Sequence, residues 1–246
     1  MRRLSHRVTG PRLGGVLKTV AGLLAILSFW GGMSLAAHAY PAGYDWPYQT
    51  ISVLLYADQN PDGYLWGWAG LELCGLAGFA WTAHARRGLT RAASQSAATG
   101  LRVLQLGFVC MCCAVLPDRL LPWSKGHEAF AILAFLGICI GVTWQMSVVF
   151  SGRPSDHCDR RTPGRVGTAI RQAAPLLPLV SLLLAGATQT YLSLVRPDLP
   201  WVTPQWRALG ISPFLSFGLW EWVSSAALSV CLLVLWNRVR AVADRP

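Results

Sequence analysis

The sequence predicts an all-α fold, an integral membrane bundle of six helices that forms one transmembrane domain over residues 1–246. Of the 246 residues, 53% are hydrophobic and only 13% are charged, and the mean hydropathy is +0.41. Soluble domains usually carry about 25% charged residues, so half of the usual charge is absent. A span needs roughly 20 apolar residues. The chain therefore has room for six spans with short connections, but for no separate soluble domain.

Six apolar runs give the predicted spans, at about 16–37, 63–85, 99–116, 127–150, 173–195 and 214–236. The first run follows several arginines and ends near Ala37-His38-Ala39, so a cleaved signal peptide is the alternative, which would leave five spans. The apolar part of a signal peptide is usually roughly 7–15 residues long. Because this run is longer, we expect it to remain as a span.

Lysine and arginine are unevenly distributed between the two sides of the predicted bundle. With the N-terminus inside, the cytoplasmic segments hold 17 of these residues and the external segments hold four. Cytoplasmic loops of membrane proteins are enriched in them. The pattern predicts both termini in the cytoplasm (N-in/C-in), in a bacterial-type inner membrane. Clustering of the basic residues between apolar runs also argues against a nucleic-acid partner, which the net charge of +10 would otherwise suggest.

Glycine recurs in the predicted spans. Span two contains Gly70, Gly75 and Gly78, and span four contains Gly137 and Gly141 in a GxxxG pattern. Small residues let helices approach closely in lipid. We expect these glycines to serve packing within the chain rather than dimerisation.

Ionisable groups inside a membrane are costly, so each one suggests a functional site. Counted at 1.5 Å per residue, Glu72 and Glu221 lie about 10–12 Å from the external ends of their spans. On the same side, Glu128 starts span four beside His127, and Gln189 lies near the outer end of span five. The shared depth favours a common external pocket. The alternative is that the two carboxyl groups are protonated and only hold helices together.

The first external segment, residues 38–62, contains no lysine or arginine and is rich in aromatic and apolar residues. The stretch Ile51–Tyr56 predicts a short helix, and Asn60-Pro61-Asp62-Gly63 predicts a turn. We therefore expect a structured loop that covers a site.

Signatures of catalysis are weak. Ser52, Asp45 and His127 could supply a nucleophile, an acid and a base, but triads are recognised by geometry and not by order in the sequence. Cys110-x-Cys112-Cys113 offers soft metal ligands without a histidine in the same span. HExxH, P-loop and GxSxG motifs are absent from the sequence. Catalytic residues therefore stay unknown, and no metal or cofactor is predicted.

Three stretches together resemble a known superfamily. They are Thr50-Ile51-Ser52 with Asn60-Pro61-Asp62-Gly63-Tyr64-Leu65, the run from His127 to Phe135, and Glu221-Trp222. In this order they resemble the FRAG/DRAM/SFK superfamily of polytopic membrane proteins and related bacterial families of unknown function. The resemblance implies a six-helix bundle with an internal N-terminus and gives weight to Ser52, His127 and Glu221. Eukaryotic members are associated with the regulation of lysosomal autophagy and with remodelling of lipid anchors.

The chain departs from the family after the serine. Members often continue Ser-Asp-Leu-Gly, whereas this chain reads Ser52-Val53-Leu54-Leu55. Loss of that acid puts any mechanism that uses it in doubt.

Taken together, these patterns predict a protein that binds or handles a lipid or other amphiphile in an outer-leaflet pocket, with membrane lipids as its partners. The candidate ligand-binding residues are Glu72, Glu221, His127, Glu128, Gln189, Ser52, Asp45 and Trp222. One alternative is a small proton-coupled transporter, for which Pro175 and Pro178 hint at a break in span five. Another is a non-catalytic accessory membrane subunit.

Overall fold

A computed structural model describes residues 12–41, 43–89, 95–115, 126–151, 176–198 and 206–243. Six long helices form the described part of the chain: α1 Arg12–His38, α2 Tyr64–Leu89, α3 Gln95–Val115, α4 Gly126–Ser151, α5 Leu177–Val195 and α6 Phe217–Ala243. Two short 3₁₀ helices, Ile51–Leu55 and Pro213–Leu215, lie in the connections. The described residues contain no strand, which confirms the all-α prediction.

Five of these helices, α1, α3, α4, α5 and α6, are long and apolar enough to cross a membrane. The chain is thus a multi-pass helical membrane protein. With 26 residues, α2 is roughly 39 Å long at 1.5 Å per residue, which is also sufficient. It is less apolar than the other five because glycines, tryptophans and Glu72 interrupt its apolar residues.

Helix α6 begins at Phe217, three residues after the predicted start of span six at 214, because Pro213–Leu215 forms a separate 3₁₀ turn and Ser216 is extended. In the described residues α5 begins at Leu177, and Pro178 stands in its first turn, where the missing N–H of proline costs nothing. Pro178 therefore does not break the helix. Pro175 lies outside the described residues, and so do the predicted span boundaries at 116 and 173.

The helices pack in a simple order. Consecutive helices α1 to α4 pack side by side, and α5 packs mainly on α6. Helix α6 also contacts α1 and α4, so it closes the bundle between the first and fourth helices. The main core draws its buried side chains from α1, α2, α3, α4 and α6.

Glycine allows backbone contact between two pairs of helices. A Cβ on Gly70 would lie 2.7 Å from the Cα of Gly32, so α1 and α2 touch there. A Cβ on Gly137 would lie 2.9 Å from the Cα of Gly107, at the contact of α3 with α4. Close approach increases the van der Waals contact that holds helices together in lipid. The predicted packing role is confirmed, and three further glycines also face α3: Gly75, Gly78 and Gly141.

The connection between α1 and α2 is folded onto the end of the bundle. Its 3₁₀ helix buries Ile51, Leu54 and Leu55 against three side chains of α1 and α2, which are Met33, Ala36 and Leu71. The side-chain Nδ2 of Asn60 donates to the carbonyl oxygens of Ala36 (3.0 Å) and Leu54 (3.2 Å). The prediction of a structured loop with a short helix is confirmed.

The connection between α5 and α6 interlocks with this first connection. Arg207 donates two hydrogen bonds to the carboxylate of Asp45, at 2.7 and 2.8 Å. The hydroxyl of Tyr48 donates to the carbonyl oxygen of Ile211 at 2.7 Å, and its ring packs with buried Trp206. We call this end of the bundle, where the two connections meet, the capped end.

Candidate functional site

An open groove of about 690 Å³ lies between α1 and α6 at the capped end. Residues of α1, of the first connection and of α6 form its walls, among them Trp30, Ser34, His38, Tyr44, Trp46, Trp222 and Ala226. Its ten lining residues include four aromatic residues and no lysine, arginine, aspartate or glutamate. The groove is therefore mostly apolar, with a few polar atoms.

The shape of the groove follows from the spacing of large and small residues. Trp30, Ser34 and His38 recur every four residues, so they lie on one face of α1. On α6 the same spacing joins Trp222 to Ala226. Large aromatic rings thus stand beside small side chains, and the small ones leave the space between the two helices.

The aromatic wall of the groove is held in place by hydrogen bonds. The indole N–H of Trp222 donates to the hydroxyl of Tyr44 at 3.0 Å. The single proton of that hydroxyl is shared between the carbonyl oxygens of Gln49 (3.0 Å) and Thr50 (2.9 Å). Burial raises the pKa of Tyr44 well above its ordinary value, so the hydroxyl keeps its proton. The wall therefore has a fixed shape.

Glu221 ties α6 to the first connection. Its Oε2 accepts a hydrogen bond from the backbone N–H of Ile51 at 2.8 Å, at the start of the 3₁₀ helix. Because α6 begins at Phe217, Glu221 lies four residues, or roughly 6 Å, into the helix. This distance is shorter than the expected 10–12 Å, which was counted from a span that begins at 214. Glu221 and its neighbour Trp222 together fix the connection that walls the groove.

Glu72 serves a different pair of helices. It lies eight residues, or roughly 12 Å, into α2, and the thiol of Cys112 on α3 donates a hydrogen bond to it. Its Oε2 is buried and has no hydrogen-bond partner among the described residues. Within the same residues, no hydrogen bond joins Glu72 to Glu221. The two carboxyl groups therefore have different partners, Cys112 for Glu72 and Ile51 for Glu221.

The remaining candidates on α4 and α5 stand apart from the groove. His127 is buried, its Nδ1 lies 2.7 Å from the carbonyl oxygen of Ala114, and its ring contacts Tyr56 edge-on at 5.4 Å. The Nε2 of His127 and the Oε1 of buried Gln189 lack hydrogen-bond partners within the described ranges. Glu128 is exposed.

The proposed triad of Ser52, Asp45 and His127 is not formed. Ser52 hydrogen-bonds the hydroxyl of Thr50 at 2.9 Å, whereas Asp45 pairs with Arg207. No group of three His, Cys, Asp or Glu side chains that could hold a metal occurs in the part of the chain that the structure describes.

Of the eight candidate residues, Trp222 alone lines the groove. Two smaller cavities in the bundle, of about 50 and 10 Å³, are lined by none of the eight and are too small for an amphiphile. The contribution of α1 to the groove was not predicted from the sequence. The four-residue spacing of Trp30, Ser34 and His38 is the signal that indicates it.

Comparison with protein-family models, curated proteins and solved structures found no match. The resemblance to the FRAG/DRAM/SFK superfamily therefore stays a prediction.

Proposed function

We propose that the protein binds a lipid or similar amphiphile in the groove between α1 and α6. The observation that carries the proposal is an open, mostly apolar space between two helices that are each able to cross a membrane. In a bilayer, the molecules beside such a surface are lipids. From Trp30 to His38 the groove extends roughly 12 Å along α1. That length suits the polar end of an amphiphile and the first part of its chain.

We further propose six spans, with both termini in the cytoplasm of a bacterial-type cell and the capped end facing outward. The ratio of 17 to four basic residues supports the orientation. Packing of α2 between α1 and α3 supports a sixth span, because α2 is long enough to cross beside them. The backbone contact between Gly32 and Gly70 makes α1 part of the bundle, which supports its retention as a span.

In this proposal the residues have unequal roles. Trp222 and Tyr44 form the wall that contacts the amphiphile, and Ser34 and His38 supply polar atoms at the groove. Glu221 is a positioning residue, since it acts by holding Ile51. The remaining candidates lie outside the groove lining and receive no role in binding: Glu72, His127, Glu128, Gln189, Ser52 and Asp45.

Filling the groove tests the proposal. In Ala226→Trp the indole would occupy space between the two helices, so binding of a fluorescent phospholipid analogue should fall by about tenfold or more, which corresponds to about 1.4 kcal/mol. Ala80→Trp is the matched control, because Ala80 is also an exposed alanine on a long helix and does not line the groove. Binding can be measured on purified protein in an uncharged detergent. Equal binding by wild type and Ala226→Trp, or equal losses in both variants, would contradict the proposal.

A proton-coupled transporter is the second candidate, and Glu72 is the observation that favours it. A buried carboxyl oxygen without a hydrogen-bond partner in the described chain is a possible proton carrier. The transporter function predicts flux into proteoliposomes that depends on a pH gradient and is lost in Glu72→Gln. An accessory subunit would show neither flux nor lipid binding.

A further inference from the structure

The groove brings four aromatic side chains around one space, and they come from three separate elements. Trp30 belongs to α1, Tyr44 and Trp46 to the first connection, and Trp222 to α6. The ring centroids of Trp30 and Trp222 lie 5.7 Å apart, and those of Tyr44 and Trp222 lie 6.0 Å apart. Aromatic faces attract cations, tryptophan most strongly, and clusters of such rings recognise quaternary ammonium groups.

The lining of the groove offers no fixed positive charge to an anionic head group. Neither lysine nor arginine lines it, so the phosphate of an anionic head group would find no counter-charge there. The nearby Arg207 is engaged by Asp45 in a two-pronged ion pair. His38 is the one side chain in the lining that can carry a positive charge.

The hydrogen bonds of the wall distinguish between kinds of ammonium. A primary ammonium has three N–H donors that need acceptors. The side-chain acceptors in the lining are those of Ser34, His38 and Tyr44, and the hydroxyl of Tyr44 already accepts from Trp222. A quaternary ammonium has no N–H, so it needs no acceptor and can lie against the aromatic rings.

We infer that the groove selects amphiphiles that carry a quaternary ammonium head group, such as trimethylammonium. The inference rests on the proposed lipid-binding function and names the chemical class of its ligand.

Three phospholipids with identical chains test the selection. The first has a choline head group, the second the uncharged 3,3-dimethylbutyl group that replaces the nitrogen by carbon, and the third an ethanolamine head group. Each is used to displace the fluorescent phospholipid from purified protein in an uncharged detergent. The choline lipid should compete at least about fivefold better than either of the others, in keeping with the strength of cation–π contacts.

Trp46 allows a test that does not disturb the fold. Its side chain is 54% exposed, as is that of Trp66 on α2, which lies outside the groove lining. In Trp46→Leu the preference for the choline lipid over its carbon analogue should fall toward one, and Trp46→Phe should keep part of it. Trp66→Leu should bind as wild type does.

The outcomes separate the two proposals. If the carbon analogue competes as well as the choline lipid and Ala226→Trp blocks both, the head-group inference is wrong while the binding proposal stands. If no phospholipid binds to the wild type, both are wrong. A preference that survives in Trp46→Leu, or that is lost equally in Trp66→Leu, also overturns the inference.

Discussion

Glu221 connects two parts of the chain that are 170 residues apart. An intramembrane carboxylate is usually considered as a ligand-binding or proton-carrying group. Here it lies near the start of α6 and accepts a hydrogen bond from the backbone N–H of Ile51, one of the N–H groups that a helix leaves without an internal partner at its start. Its contribution to the groove is therefore indirect, through the position of the first connection.

Substitution of Glu221 should separate hydrogen bonding from charge. Glu221→Gln keeps an oxygen that can accept from Ile51, so the free energy of unfolding should fall by less than about 1 kcal/mol. Glu221→Ala leaves that N–H without a partner and should cost about 1–3 kcal/mol. Thermal unfolding in detergent measures both. Glu128→Ala is the control, since Glu128 is exposed on α4, and a loss there as large as that of Glu221→Ala would contradict the assignment.

At the scale of elements, the helices are held together by matched small residues. Gly32 and Gly70 bring the backbones of α1 and α2 together, and Gly107 and Gly137 do the same for α3 and α4. These positions were identifiable from the sequence as a class, because glycine has few other uses inside a span. Their partners were not identifiable, because the sequence does not say which faces of two helices meet.

Adding a methyl group at these contacts should force the helices apart. In Gly70→Ala the new Cβ would lie 2.6 Å from the carbonyl oxygen of Ser28 and 2.7 Å from the Cα of Gly32. Neither atom can move without its helix, so we expect a loss of about 1–3 kcal/mol in the free energy of unfolding.

Gly186→Ala is the matched control, because no atom lies within 4 Å of the position of its Cβ. Alanine favours helix over glycine, so this variant should be as stable as the wild type or slightly more stable. Thermal unfolding of the two variants side by side gives the comparison. Equal stability of Gly70→Ala and Gly186→Ala would show that the α1–α2 contact is looser than described.

At the scale of the whole molecule, the capped end is the feature that distinguishes one end of the bundle from the other. Two connections that are distant in sequence interlock through Asp45 and Arg207, and one of them also covers the ends of α1 and α2. The groove opens beside this cap. In the proposed function, the side of the membrane on which the cap lies decides which leaflet supplies the amphiphile.

Epitope insertion tests the predicted orientation. Asp58 is exposed in the first connection, so an epitope inserted after it should be detected by antibody on intact spheroplasts. An epitope at the C-terminus should be detected only after the membrane is permeabilised. The reverse pattern would place the capped end in the cytoplasm. Detection of both epitopes in intact spheroplasts would exclude the five spans expected between Asp58 and the C-terminus, because an odd number of spans puts the two epitopes on opposite sides.

The sequence by itself determined the helices and the short helix of the first connection. Hydropathy and turn residues act over neighbouring positions, so the six long helices and Ile51–Leu55 could be located from local patterns. Only the tertiary structure decided how the helices are rotated and therefore which side chains meet. In lipid the outer and inner faces of a span are both apolar, so periodicity carries little information about rotation. For that reason Glu72 and Glu221 were expected to share a pocket, whereas they face Cys112 and Ile51. The groove between α1 and α6 appears only when two helices from opposite ends of the chain pack together.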